Sequence, residues 1–366
     1  MKLDSVELIH IRMPLVGAFR TSFGTELVRD TFLLRVTTDV AEGWSEYGGD
    51  TDPLYGPEFS GSTELVLRDH LIPRLAGELT TAEVAGRFKP VKGHRMAKAV
   101  LETAILDAEL RGYGMPLSRY LGSVRDRVPA GVSVGIMDTI PQLLDAVRRY
   151  LEAGYVRIKL KIEPGWDLEP VREVRREFGD DVPLQVDANT AYSLTDARHL
   201  QRLDEFGLLL IEQPLDTDDL AGHARLAALL GTPICLDESI SSARDAAAAI
   251  AMGACSVINI KPSRVGGYLE SRRVHDVAAA AGIPVWCGGM LETGVGRAAN
   301  LALAALPGFV LPGDTSASNR YYAEDLTEPF VLEKDGTVRL PSGPGIGVEV
   351  KHDVLERFTV ARRALS

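Results

Sequence analysis

Hydrophobic and polar positions follow two different rhythms along the chain. In residues 4–12, 31–37 and 43–47 the apolar side chains recur at every second position, which predicts half-buried strands of an antiparallel sheet. The stretches between and after them, GAFRTSFGTELVRD (17–30) and GGDTDPLYGPEFSGS (48–62), are polar and glycine-containing and read as loops. HRMAKAVLETAILDAELRGYG (94–114) has helical spacing and stops at a glycine ahead of Pro116. This first part is an α+β arrangement.

From about residue 128 the pattern changes and repeats. Short apolar runs each close on a polar or charged residue: GVSVGI, YVRIKLK, LQVDAN, LLLIEQP, PICLDES, SVINIKP, PVWCGG and FVLPGD. Amphipathic helical stretches such as LEPVREVRREFG and SARDAAAAIAMGA separate them. The polar ends at Lys161, Asp187, Glu212, Asp237 and Lys261 are 26, 25, 25 and 24 residues apart. That interval holds one strand, one helix and two short connections, so eight such runs predict a (β/α)8-type barrel. No helical pattern follows FVLPGD. EPFVLEKDGTVRLP instead reads as a hairpin turning at Asp335-Gly336, after which the chain is expected to return to the first domain.

Composition narrows the function classes. The chain has 366 residues, 45% hydrophobic and 25% charged, which suits a globular protein of about two domains. Its 40 basic and 51 acidic residues give a net charge of −11, with no basic block or aromatic–basic interleaving, so nucleic acid is not an expected partner. Every apolar stretch is broken well short of the ~20 residues a membrane span requires, and the alternating N-terminus lacks the apolar core of a signal peptide. Cys235, Cys255 and Cys287 are widely spaced in apolar runs and read as buried free thiols of a cytoplasmic protein.

Within YVRIKLKIEPGWD the period of two sets Lys159 and Lys161 on one side of a strand. In a barrel the strand C-termini gather at one mouth, where chemistry resides. Five successive strands ending in Lys, Asp, Glu, Asp and Lys would bring three carboxylates together, and these would repel one another unless a cation held them. Oxygen ligands without His or Cys favour Mg²⁺, or Mn²⁺, over zinc. His94, His199, His223 and His275 lie away from the strand ends and read as structural. In GGMLETGVGRAAN the glycines suggest a carboxylate or backbone contact, and Arg297 is open to a structural or a functional role.

KLK, VDAN, IEQP, LDES and NIKP resemble the enolase superfamily, specifically its muconate-lactonizing-enzyme subgroup. FRTSFGT, GHRMAKA, VINIKPSRVGGYLE, WCGGMLETG and LPGDTSAS more narrowly resemble the o-succinylbenzoate synthase / N-acylamino acid racemase family. The resemblance implies a modified (β/α)7β TIM barrel over residues 126–322. It also implies an α+β capping domain over 1–125, completed by the C-terminal segment 323–366. It implies Asp187, Glu212 and Asp237 as ligands of Mg²⁺ or Mn²⁺, Lys161 and Lys261 as the acid/base pair, and Lys159 as a supporting cation for the substrate's carboxylate. Lys161 and Lys261 are expected to have lowered pKa values, through burial, the metal, and Lys159 or Arg264 nearby.

The reaction so implied is removal of a proton α to a carboxylate. Return of the proton to the other face is racemisation of an N-acyl or N-succinylamino acid. Loss of water is o-succinylbenzoate synthesis, a menaquinone-pathway step. The substrate is a small carboxylate, and a homo-oligomer is the expected assembly. Phe19, Tyr55, Met290, Leu291 and Tyr321 form an apolar set for the substrate's distal part, with packing of the cap as their competing role. Ser133, Asn189, Arg264 and Gly289 are further candidate substrate contacts. One departure stands out: where the family carries an apolar residue near position 50, this chain reads GGDTD, and Asp50 and Asp52 would disfavour a second anionic group. Dipeptide epimerase and muconate cycloisomerase share the same lysines and carboxylates and remain open, as does a non-catalytic metal-stabilised binding protein.

Overall fold

A computed structural model describes residues 1–366. It contains a mixed cap and a parallel barrel, tied together by buried acids. Strands β1 (Leu3–Thr21), β2 (Gly24–Thr38) and β3 (Glu42–Glu46) pair antiparallel. Alternate residues feed different cores, as period two requires. Val6, Leu8, Leu34 and Val36 join the cap core, while Ile9, Ile11 and Leu33 face the larger core shared with the barrel. The predicted loop 17–30 is not a loop. It is the distal end of the β1–β2 hairpin, with Phe19 opposite Glu26 and Thr21 opposite Gly24. A shift of register between Pro14 and Phe19 interrupts the apolar alternation there, which hid the strand from periodicity. The stretch 48–59 is irregular, as expected. The predicted cap helix spans Arg95–Gly112.

The barrel strands are β5 (Gly131–Val134), β6 (Arg157–Lys161), β7 (Leu184–Asp187), β8 (Ile211–Glu212), β9 (Ile234–Leu236), β10 (Val257–Ile260) and β11 (Val285–Cys287), parallel and in sequence order. The eighth predicted strand, FVLPGD, is not a regular strand. Phe309 bridges Val285 on one side and Gly313 bridges Ala130 on the other, so residues 309–314 close the ring irregularly. Pro312 supplies no ladder donor, and Val310 N turns back to Gly308 O, which is why this stave does not extend.

Beyond it the hairpin turns as expected, with Gly336 at φ +76°. Its outgoing strand β12 (Thr337–Arg339) pairs with β4 (Arg127–Pro129) beside the barrel, before β13 (Thr359–Ala364) pairs with β1 in the cap sheet. All three cysteines are buried and free, and no helix is long and apolar enough to cross a membrane.

Acidic side chains of the cap hold helix N-termini of the barrel, where unpaired N–H groups and the helix dipole favour negative charge. Glu46, at the end of β3, accepts from Thr293 N (3.0 Å), Thr293 Oγ1 (2.7 Å) and Gly296 N (3.0 Å), at the start of the helix Gly294–Ala304. Glu102, on the cap helix, accepts from Leu269 N (3.3 Å) at the start of the helix Tyr268–Ala280. Gly267 precedes that helix at φ +120°, and a Cβ there would collide with the Glu102 carboxylate. Asp107 accepts from Trp44 N (2.8 Å) and Ile346 N (2.7 Å), binding cap strand to C-terminal segment.

Burial pushes the Glu102 carboxyl up to about 8 and the Glu46 carboxyl to about 7. A raised folded-state pKa means that Glu102 contributes fully below its ordinary value of 4.5, and that the contribution fades as pH rises from there to about 8. Glu102→Gln should therefore flatten the fall in stability between pH 5 and pH 8.5, by a few kcal/mol at most. Thermal unfolding of both proteins across that range checks it; parallel curves would refute the assignment.

Candidate active site

The polar strand ends do converge, and they are dry. Asp187, Glu212 and Asp237 are fully buried, and Lys159, Lys161 and Lys261 nearly so. Register accounts for the neighbours: Lys161 pairs with Asp187 across β6–β7, and Asp187 with Glu212 across β7–β8. Lys159 Nζ lies 3.1 Å from Asp187 Oδ2, 3.0 Å from Glu212 Oε2 and 2.7 Å from Asp314 Oδ2, and 4.8 Å above the Trp286 ring. Lys161 Nζ donates to Asp187 Oδ2 (2.7 Å) and Asn189 Oδ1 (2.6 Å). Lys261 Nζ lies 2.8 Å from Asp237 Oδ2 and 4.5 Å from the centre of the Tyr55 ring. Arg264 contacts the Asp237 carboxylate, donates to Tyr55 Oη (3.1 Å), and is anchored on the Ile240 (2.7 Å) and Asn259 (2.6 Å) carbonyls.

Asp187 Oδ2 and Glu212 Oε2 both lie against Lys159 Nζ, and Asp237 stands against Lys261 and Arg264, so each carboxylate has a cation beside it. The lysines do not share one electrostatic fate. Burial lowers the Lys161 pKa, with Asp187 opposing. Burial acts the same way on Lys261, but Tyr55, Glu238 and Glu212 outweigh it and the pKa rises instead of falling. Lys159 is likewise raised, burial being overcome by Asp314, Glu212 and Asp187. Arg264 is engaged with Asp237 and Tyr55.

Several members escaped the sequence reading. Asp314 also pairs with Arg157 (2.9 Å), which is fully buried and lies 5.2 Å from the Trp286 ring centre. FVLPGD ends on that aspartate, so it carried the same signal as the five strand ends. Glu238 accepts from Asn189 Nδ2 (2.9 Å), and Asn259 Nδ2 donates to Glu212 Oε1 (2.6 Å). Both adjoin residues already singled out. His223 accepts from Leu215 N (3.2 Å) and is structural. Arg297, buried and bonded to the Ser316 and Glu292 carbonyls, is structural too.

The candidate substrate contacts Phe19, Tyr55, Ser133, Asn189, Gly289, Met290, Leu291 and Tyr321 line one cavity with all three lysines. Arg264 and the three strand-end carboxylates lie outside its lining. The cavity also takes in Phe23, Glu26 and Asp50 from the cap. Phe19 and Tyr321 meet edge to face at 6.1 Å, so the cap packs on the barrel through the same residues that face the cavity.

A divalent metal can be tested against these residues. The buried donors are all oxygens, and Asp237 Oδ2 and Glu238 Oε2 accept no well-directed hydrogen bond. Five buried carboxylates (Asp187, Glu212, Asp237, Glu238, Asp314) face five buried cations (Arg157, Lys159, Lys161, Lys261, Arg264). The donor set fits a hard, oxygen-preferring ion.

A curled parallel sheet with a buried lysine–carboxylate mouth under an α+β cap defines a class, and comparison with known proteins agrees. Residues 142–354 match the family described as Enolase C-terminal domain-like, and the chain belongs to the enolase superfamily. Within it, the chain is 63% identical over 364 residues to an N-succinylamino acid racemase of Amycolatopsis sp, covering 99% of each. It is 47% identical over 362 residues to an o-succinylbenzoate synthase of Geobacillus kaustophilus, covering 98% of this chain and 96% of that protein. An enolase-superfamily structure from Listeria innocua superposes over 100% of both chains with a TM-score of 0.95 at 38% identity.

Asp314→Asn should leave Lys159 and Arg157 short of a buried counter-charge and cost about 3 kcal/mol. Denaturant unfolding would show it as a fall in midpoint. An unchanged midpoint would mean that the pairing adds nothing to the fold.

Proposed function

We propose that this protein moves the α-proton of a small N-acylamino acid carboxylate, removing it on one face of the carbon and returning it on the other. One observation carries the reading. Lys161 ends β6, the second stave of the ring, and Lys261 follows β10, the sixth, so two buried lysines enter one cavity from opposite sides. A lysine on each face is what a two-base exchange requires.

Asp187, Glu212 and Asp237 would hold Mg²⁺ or Mn²⁺, whose charge would offset the negative charge that builds on the substrate carboxylate when its α-proton leaves. Lys161 is the group poised to accept a proton, since burial already lowers its pKa. Lys261 is poised to donate one, its ammonium lying 2.8 Å from the Asp237 carboxylate and 4.5 Å from the centre of the Tyr55 ring. In the reverse direction the roles exchange. Lys159 stays charged throughout, held by three carboxylates, and contributes a fixed positive potential beside them.

Dehydration to o-succinylbenzoate is the second reading. It is favoured by relatives of that name at 47% identity, and it needs the same lysines, one as base then acid and the other as a cation.

In ²H₂O, Lys161→Ala and Lys261→Ala should each stop racemisation, while each still exchanges the α-proton of one enantiomer, and of opposite ones. ¹H NMR of the two enantiomers separates these outcomes; full racemisation by Lys161→Ala would end the two-base reading. Lys159→Ala should slow both directions by about 10²–10³ without choosing a face. Exhaustive chelation should abolish turnover and Mg²⁺ or Mn²⁺ should restore it; turnover that survives chelation would remove the metal from the scheme.

A further inference from the structure

A cavity of about 490 Å³ lies at the seam between cap and barrel and shares no lining residue with the lysine cavity. Its cap wall comes from the stretch 84–102 and its barrel wall from 265–273. Five cations line it: Lys89, Lys92, Arg95 and Lys98 from the cap, and Arg273 from the helix Tyr268–Ala280. The first four recur at every third position of KPVKGHRMAK, a stretch without an acid. They form no continuous basic run in sequence; folding gathers them around one space.

Few of these charges are answered. Lys89 and Lys92 are exposed, and their ammonium groups make no ion pair or hydrogen bond. Arg95 has only Asp245, at 3.8 Å, and that carboxylate already accepts from Ser241 (2.6 Å) and Ser242 (2.8 Å). Lys98 Nζ donates to the Val91 carbonyl (2.5 Å), a neutral group; burial and then the neighbouring Arg95 lower its pKa, with Glu58 opposing. Arg273 pairs with Glu270 (2.9 Å). The other acid of the lining, Glu102, is 4% exposed and accepts from Leu269 N, and its raised pKa leaves it little charge near neutral pH. The lining therefore keeps a surplus of positive charge on a chain whose net charge is −11.

The volume falls within the ~300–1,000 Å³ of small-molecule sites. A carboxylate offers its two oxygens in one plane, whereas a phosphate carries up to two charges and directs three oxygens to different sides. The second shape suits ammonium and guanidinium donors that arrive from two facing walls.

We propose that this seam cavity binds a small phosphate-bearing anion, which bridges Lys89, Lys92 and Arg95 of the cap to Arg273 of the barrel. The site goes beyond the proton-transfer reading and does not depend on it. Val265 and Gly266 line the cavity and directly follow Arg264, which contacts Asp237 and Tyr55 in the mouth, so an occupant touches the segment that carries an active-site residue.

Calorimetry on the Mg²⁺-loaded protein, with free Mg²⁺ held constant, tests this. The probes are inorganic phosphate, fructose 1,6-bisphosphate, ADP, and citrate as a carboxylate polyanion. At least one phosphate compound should bind on the order of tenfold more tightly than citrate and raise the thermal midpoint. Which of the three leads tells free phosphate, sugar phosphate and nucleotide apart. The double variant Lys89→Ala/Lys92→Ala, which breaks no ion pair, should weaken that binding on the order of tenfold, and 0.5 M salt should weaken it in the unaltered protein. Arg273→Gln should weaken it from the opposite wall. The lysine mouth is also cationic, so binding that both variants leave unchanged lies outside the seam and overturns the proposal. Citrate binding as tightly as every phosphate compound, or no phosphate binding at millimolar concentration, overturns it as well.

Discussion

Burying charge at the barrel mouth is the constraint on which the rest of the molecule depends. An isolated ammonium or carboxylate in such a place would neutralise itself or unfold the site, because desolvation of either ion costs several kcal/mol. Here the cost is met by alternation: lysines on β6, carboxylates on the next staves, and a lysine again after β10. Arg157 and Asp314 close the circuit beside the irregular last stave. Neutral mouth and closed ring are therefore one requirement, since residue 314 can reach Lys159 only if 309–314 bridges β11 and β5.

The cap answers a different need. A mouth that excludes water must be covered, yet its cover must hold position relative to lysines on another domain. The structure uses helix N-termini as sockets. Glu46 and Glu102 enter two successive barrel helices, and Asp107 fastens the C-terminal segment against the same cap helix. These contacts lie behind the active cavity, while the hairpin tip and residues 50–55 lie over it. The acidic anchors are thus joined by a contact at the cavity itself, where Phe19 of the hairpin tip meets Tyr321 edge to face.

Much of this was legible in the chain. The repeat of 24–26 residues, the five charged strand ends and the doubled lysine follow from side-chain period and from the rule that a parallel sheet has no reason to end in charge. What failed to show has identifiable causes. The hairpin tip lost its alternation to a register shift, so 17–30 looked like a loop. The last stave looked like a strand because the apolar run of FVLPGD is intact, although Pro312 denies it a ladder. The direction of the Lys261 pKa depended on Tyr55 and Glu238, one from a distant loop and one adjoining a supposed ligand, and no local pattern reports such neighbours. Asp314 was visible but went unread, because strand ends were weighed only within the regular repeat.

The unequal lysines sharpen what the mouth can do. A symmetric pair would hold protons equally on both faces of a carbon. Here burial lowers the Lys161 pKa, while the Asp237 carboxylate and the face of the Tyr55 ring lie against the Lys261 ammonium. Tyr55 is therefore more than a wall of the substrate cavity. It lies over Lys261 and also accepts from Arg264, and it comes from the cap stretch that carries Asp50. The cap thus supplies a direct neighbour of Lys261, and residue 55 is the point at which cover and base meet.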